Sequence, residues 1–146
     1  TRLVAEHFDW AHTVDRLKIA QRLSQQRPAD RAPLNVCIQV NIDGGANKAG
    51  VPPGEALALA REVAGLPGLA LRGLMTIPEP APDFASQREV HLRAQALFEQ
   101  LRAHGLALDT LSMGMTADLE AAIAAGSTMV RVGTAIFGGR PAKPAA

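Results

Sequence analysis

Apolar and polar positions follow two rhythms along the chain, short β-type runs and longer stretches of helical period, and the pair recurs from Trp10 onward. Trp10 to Val14 predicts a short strand. Asp15 is placed to cap a helix whose apolar positions Leu17, Ala20 and Leu23 continue to about Arg27, where Pro28 stops it. Leu34 to Asn41, rich in Val and Ile, predicts a buried strand; the loop Asp43 to Gly50 follows, and Pro52-Pro53 open the next helix. Gly65 and Pro67 close that helix and Leu71 to Ile77 is the next strand. Pro78, Pro80 and Pro82 then stiffen the connection to a long helix from Phe84 to His104. Val90, Ala94, Leu97 and Leu101 give it one buried stripe. Ahead of these units, Arg2 to His7 looks like the middle of a helix and Thr1 stands where an initiator methionine is expected, so the N-terminal part of the fold is expected to be missing.

The last unit carries most of the chemistry. Leu108 to Leu111 is an apolar run expected to stop at a loop, Ser112-Met113-Gly114, after which Thr116 offers a capping hydroxyl and Asp118 and Glu120 fall in the first helical turn. Leu119, Ala122 and Ile123 make an apolar stripe, Gly126 is placed to end the helix in a left-handed conformation, and Thr128 to Val132 is a second β-rich run. So short a crossover joins parallel strands, which therefore end on the same side, one in Ser112-Met113-Gly114 and the other in Gly133-Thr134. Two hydroxyl-bearing, glycine-containing loops in register match the place where (β/α)8 barrels hold a phosphate, after their last two strands. By spacing alone they equally describe tight turns with capping hydroxyls.

Strict alternation predicts an α/β fold with five parallel strands and right-handed crossovers. An open doubly wound sheet lacks its expected Gly-x-Gly-x-x-Gly here, whereas the paired loops favour a barrel. Five strands leave open edges, which further strands or another chain are expected to cover. Composition narrows the picture only slightly. The 146 residues carry a formal charge of +1 with the charges interspersed, so no stripe suits nucleic acid, and no run is apolar for long enough to span a membrane. The single cysteine, Cys37, lies in an apolar run and reads as a buried thiol, as expected of a cytoplasmic protein. His7, His12, His91 and His104 lack metal-ligand spacing, so structural or surface roles are expected and no metal.

Leu111-Ser-Met-Gly-Met-Thr-Ala-Asp-Leu-Glu120 and Met129-Val-Arg-Val-Gly-Thr-Ala-Ile-Phe-Gly138 closely resemble the signature of the pyridoxal phosphate homeostasis protein family, relatives of the alanine racemase N-terminal barrel. The resemblance continues through Leu71-Arg-Gly-Leu-Met-Thr-Ile-Pro78, Leu34-Asn-Val-Cys-Ile-Gln-Val-Asn-Ile42 and Arg2 to Trp10. It implies a (β/α)8 TIM barrel of the alanine racemase N-terminal type, present here as its C-terminal five βα units over residues 1–140, with a disordered tail at 141–146. It also implies binding of pyridoxal 5′-phosphate (PLP) as a lysine Schiff base and a role in vitamin B6 homeostasis. Carried over residue by residue, Ser112 with Gly133 and Thr134 grips the cofactor phosphate, the backbone of Met113 and Gly114 lines the same pocket, Arg131 faces the pyridine nitrogen and Met75 lines the cavity. A guanidinium at the pyridine nitrogen disfavours its protonation and leaves the ring a poorer electron sink than a carboxylate would.

The chain departs from the family at the Schiff-base lysine, which lies on the first barrel strand. Lys18, Lys48 and Lys143 are the only lysines, and none stands in a matching context. The covalent anchor is therefore expected to be absent, with PLP, phosphate or sulfate held reversibly. The alternative is a PLP-dependent racemase-like enzyme, which needs a lysine base and commonly a tyrosine opposite it. The sequence has no tyrosine, which favours a non-catalytic or weakly catalytic PLP-binding protein. Self-association, or pairing with the missing N-terminal polypeptide, is expected at the open sheet edges.

Overall fold

The computed structural model describes residues 1–44 and 49–132. Five strands, β1 (Trp10–Val14), β2 (Leu34–Val40), β3 (Leu69–Thr76), β4 (Thr110–Met115) and β5 (Met129–Arg131), lie side by side in chain order with every neighbouring pair parallel. α1 (Arg2–His7) precedes them, and α2 (Leu17–Gln26), α3 (Ala56–Ala64), α4 (Phe84–Ala103) and α5 (Leu119–Ala124) run between successive strands. Single 3-10 turns, Pro53–Glu55 and Thr116–Asp118, lead into α3 and α5. Among the described residues no helix is long and apolar enough to cross a membrane.

Side chains alternate between the two faces of each strand. One set, Leu34, Val36, Ile38 and Val40 of β2, Leu74 of β3, and Leu111 and Met113 of β4, joins Leu23, Ala60, Val63, Ala94, Phe98 and Leu101 from the helices in one buried core. The opposite set faces inward. There His12 of β1 touches Ser112 of β4, although two strands separate them in the sheet. Side chains on a flat sheet at strand spacings of about 4.8 Å cannot meet across that distance, so the sheet curls, and the five strands form the wall of a half-barrel. Gly73 permits the close approach of β3 and β4. It pairs with Thr110, and a Cβ on it would fall 1.6 Å from the Thr110 carbonyl oxygen.

Several local expectations are corrected. Ser112-Met113-Gly114 is not a loop, because β4 runs through it to Met115. The register explains the misleading look of that triplet: Ser112 pairs with Met129 and Met115 with Arg131, so β4 advances three residues while β5 advances two. The additional residue makes a bulge, and Gly114 accommodates it at φ +100°. Its Cα also presses on α5, where a Cβ would lie 2.4 Å from Ala122 Cβ. Thr116 does not cap α5; the Asp118 carboxylate instead accepts the Met115 N–H at 2.7 Å. Ile123 is exposed, and Ala121 and Ala122 form the buried side of α5. Gly126, at φ +103°, does follow the helix end in the left-handed region.

Asp15 likewise does not cap α2, whose N-cap position is Arg16 with no side-chain cap bond. Its carboxylate accepts the Gly50 N–H at 3.2 Å and so ties the β2–α3 connection to the end of β1. The α4 stripe is carried by His91, Ala94, Phe98 and Leu101, with Val90 and Leu97 packed half-buried beside it. Asp83 caps that helix by accepting the Ser86 N–H at 2.8 Å. Arg27, read only as a helix end, is buried; it donates to the carbonyls of Ala5, Phe8 and Ala32 and pins α1 to the start of the sheet.

Candidate functional site

The inward face is layered from the strands' N-terminal ends to their C-terminal ends. At the bottom, Arg72 donates twice to Asp109, at 2.9 and 2.6 Å, and once to Asn35 Oδ1 at 3.0 Å, while its guanidinium lies 4.8 Å from the Trp10 ring centroid. This layer closes the base with a paired cation stacked on an aromatic face. The middle layer follows from register: Gln39 pairs with Met75 and Met75 with Ser112, and His12 projects from β1 on the same face as Trp10, two residues earlier. The His12 and Trp10 rings meet edge to face with centroids 5.7 Å apart. Cys37 belongs to this inner face, pairs in register with Gly73 and is fully buried; burial pushes its thiol up to about 12, so it stays protonated and inert at neutral pH.

Arg131 closes the upper layer. Its Nη1 donates to Ser112 Oγ at 2.8 Å and its Nη2 to the Thr76 carbonyl at 2.8 Å. Among the described residues no carboxylate is within ion-pair distance of it, and burial lowers its guanidinium from the ordinary value, with the charge of Asp118 opposing that shift. A half-buried guanidinium held only by neutral oxygens keeps three of its five N–H donors for another group. Burial, and then the Arg131 charge, also push His12 below the ordinary imidazole value, which keeps it neutral at pH 7. Beside Arg131 a cavity of ≈ 110 Å³ opens between the ends of β3 and β4, lined by Ile77, Pro78, Gly114, Met115 and Asp118 among others.

The fold thus brings together Met75, Ser112, Gly114 and Arg131. The Met113 side chain lies in the helix-side core. Gly133, Thr134 and Lys48 lie outside the described residues, as does the segment 141–146. The chain turns at Met115 to Asp118, a few residues beyond the predicted loop. Asp118 holds this turn from both sides, accepting the Met115 N–H on one oxygen and facing His91 Nε2 at 2.7 Å with the other. Sequence reasoning left His12 and His91 among structural or surface histidines. His91 is indeed buried and structural, but His12 sits in the inner face, and its position two residues from an inward Trp10 on one strand was the signal available.

A model of the alanine racemase N-terminal domain matches residues 1–141. The pyridoxal phosphate homeostasis protein of Pseudomonas aeruginosa is 59% identical over 140 residues, covering 96% of this chain and 60% of the relative. Its namesake from Haemophilus influenzae is 56% identical over 142 residues, with the same two shares. The chain therefore spans 60% of the length of these relatives. Among solved structures, PipY of Synechococcus elongatus with PLP bound superposes with a TM-score of 0.84 at 33% identity, over 94% of this chain and 64% of that one. A D-threonine aldolase from Filomicrobium marinum superposes with a TM-score of 0.71 at 26% identity, over 86% of this chain and 36% of that one.

Proposed function

The chain belongs to the alanine racemase N-terminal domain family, and from that premise we propose that it binds PLP at the C-terminal end of its half-barrel and serves PLP homeostasis by holding and releasing the cofactor. One observation carries the reading. Arg131 is a half-buried cation whose partners here are neutral oxygens and whose remaining donors adjoin the cavity at the strand ends. A neutral ring nitrogen is an acceptor such a donor set suits. The donor chemistry therefore fits PLP, and the PLP-bound PipY neighbour supports the same choice.

In this reading Arg131 would hold the ring nitrogen with Met75 and Gly114 beside it, and Gly133 and Thr134, which lie outside the described residues, would take the phosphate. When bound, PLP supplies an aldehyde and an electron-accepting ring. Arg131, permanently charged, opposes protonation of the ring nitrogen and so weakens that electron sink. Lys18 is exposed on α2, and Lys48 and Lys143 lie outside the described residues; the form of binding proposed is reversible. Titration of the protein with PLP, followed by absorbance and fluorescence, should saturate at one equivalent. Arg131→Gln should weaken the complex roughly tenfold to a hundredfold, the range for losing a hydrogen bond from a charged donor. Absence of saturable PLP binding to the unmodified protein would sink the proposal.

A further inference from the structure

We propose that Ser112 and His12 are positioning residues that hold Arg131 from behind, and that the Ser112 hydroxyl does not grip the ligand's phosphate. The inference rests on the reading that Arg131 meets the ring of a pyridoxal-type ligand. Three facts place Ser112 in this role. It is fully buried, its Oγ takes the Arg131 Nη1 hydrogen bond at 2.8 Å, and the same Oγ lies 3.2 Å from His12 Nδ1. The register adds a fourth. Ser112 pairs with Met129, two residues before Arg131, so it sits one pleat deeper in the barrel than the residue it holds and away from the turn that ends β4.

The proton order follows from donor and acceptor rules. Arg131 has only donors, so Ser112 Oγ accepts from it, and the hydroxyl hydrogen points to the acceptor nitrogen of His12. His12 Nδ1 then carries no proton, and the ring is the neutral Nε2–H tautomer. Its position against Trp10 fixes that acceptor in place. Together with the Thr76 carbonyl, the relay takes one N–H from each terminal nitrogen of Arg131 and leaves the others facing the cavity side. Removing the Ser112 hydroxyl frees the guanidinium to rotate, and the contact it loses is the one to the ligand's ring.

The relay is tested first without ligand. Two-bond proton–nitrogen NMR of 15N-labelled protein should show His12 as the Nε2–H tautomer with an accepting Nδ1 whose shift changes in Ser112→Ala. An Nδ1–H tautomer would reverse the relay and overturn the proposal. Binding is then compared for PLP, pyridoxal and inorganic phosphate. Ser112→Ala should weaken PLP and pyridoxal by the same factor, about tenfold, and leave inorganic phosphate unchanged, with Ser112→Thr restoring affinity. Loss confined to the two phosphate-bearing ligands, with pyridoxal unaffected, would instead make Ser112 a phosphate ligand. If Ser112→Ala fails to fold, His12→Phe makes the same comparison while keeping a ring beside Trp10. Unmodified protein that binds none of the pyridoxal ligands defeats the proposed function, and the tautomer measurement still decides the relay.

Discussion

Gly73 stands opposite Thr110 at the pairing of β3 with β4, and no side chain fits between the two backbones. Gly73→Ala forces the strands apart or bends β3, so it should cost about 3 kcal/mol or more, read as a lower urea midpoint at unchanged slope. Asp109, a few ångströms away, is governed by charge. The Arg72 guanidinium bonded to it, first among the causes, holds its carboxyl below the usual carboxylate range. A carboxyl with a depressed folded-state pKa contributes stability above its unfolded value, near 3.9, and loses that contribution as pH falls through the folded value. Urea midpoints measured from pH 6 down to pH 2 should therefore fall more gently in Asp109→Asn than in the unmodified protein. The difference should be small, because more than half of the Asp109 side chain is exposed and solvent screens the pair. At this scale the sequence shows which residue types are present, but not that Arg72 and Asp109, thirty-seven positions apart, are partners.

The connection from β4 into α5 is an element whose shape depends on another element. His91, on α4 and 1% exposed, reaches Asp118 Oδ2 at 2.7 Å, and the other Asp118 oxygen accepts the Met115 N–H. One buried ring thereby fixes the turn that ends β4 and the start of a helix only six residues long. Isolated helices of that length do not hold, so α5 draws its order from α4. His91→Ala leaves a void and strips the carboxylate of its partner; it should destabilise the protein by about 3 kcal/mol, measured by thermal and urea unfolding. His91→Gln, which keeps a donor, should recover part of that loss. The existence of α4 and α5 was legible from apolar period and from Gly126. The bulge in β4 was not, because Ser-Met-Gly has turn chemistry locally and is kept extended only by ladder bonds to β3 and β5.

For the molecule as a whole the open edge matters most. β1 pairs with β2 on one side and, among the described residues, with no strand on the other. Along that edge runs a groove of ≈ 430 Å³, lined by Val4, Phe8, Trp10 and Val14 among others, and Phe8 is 55% exposed. An unpaired parallel strand beside apolar surface is a template for further pairing. This chain on its own should therefore associate as its concentration rises. Sedimentation velocity is the check, and a single monomer boundary across the micromolar range would contradict the expectation.

The order of strands and helices, the parallel sheet, the inert Cys37 and the family were all decided by the sequence itself, because period, turn residues and motif spacing act over a few neighbouring positions. Local rules do not reach further. Whether Ser112 meets a ligand or Arg131, whether His12 belongs to a surface or to the inner face, and where Asp118 spends its two oxygens depend on the curl of the sheet and the register of each strand. These bring His12 and Ser112 together from one hundred positions apart. A one-residue change of register would turn every one of those side chains to the opposite face, and only the packed core of helices against the outer face selects the register observed.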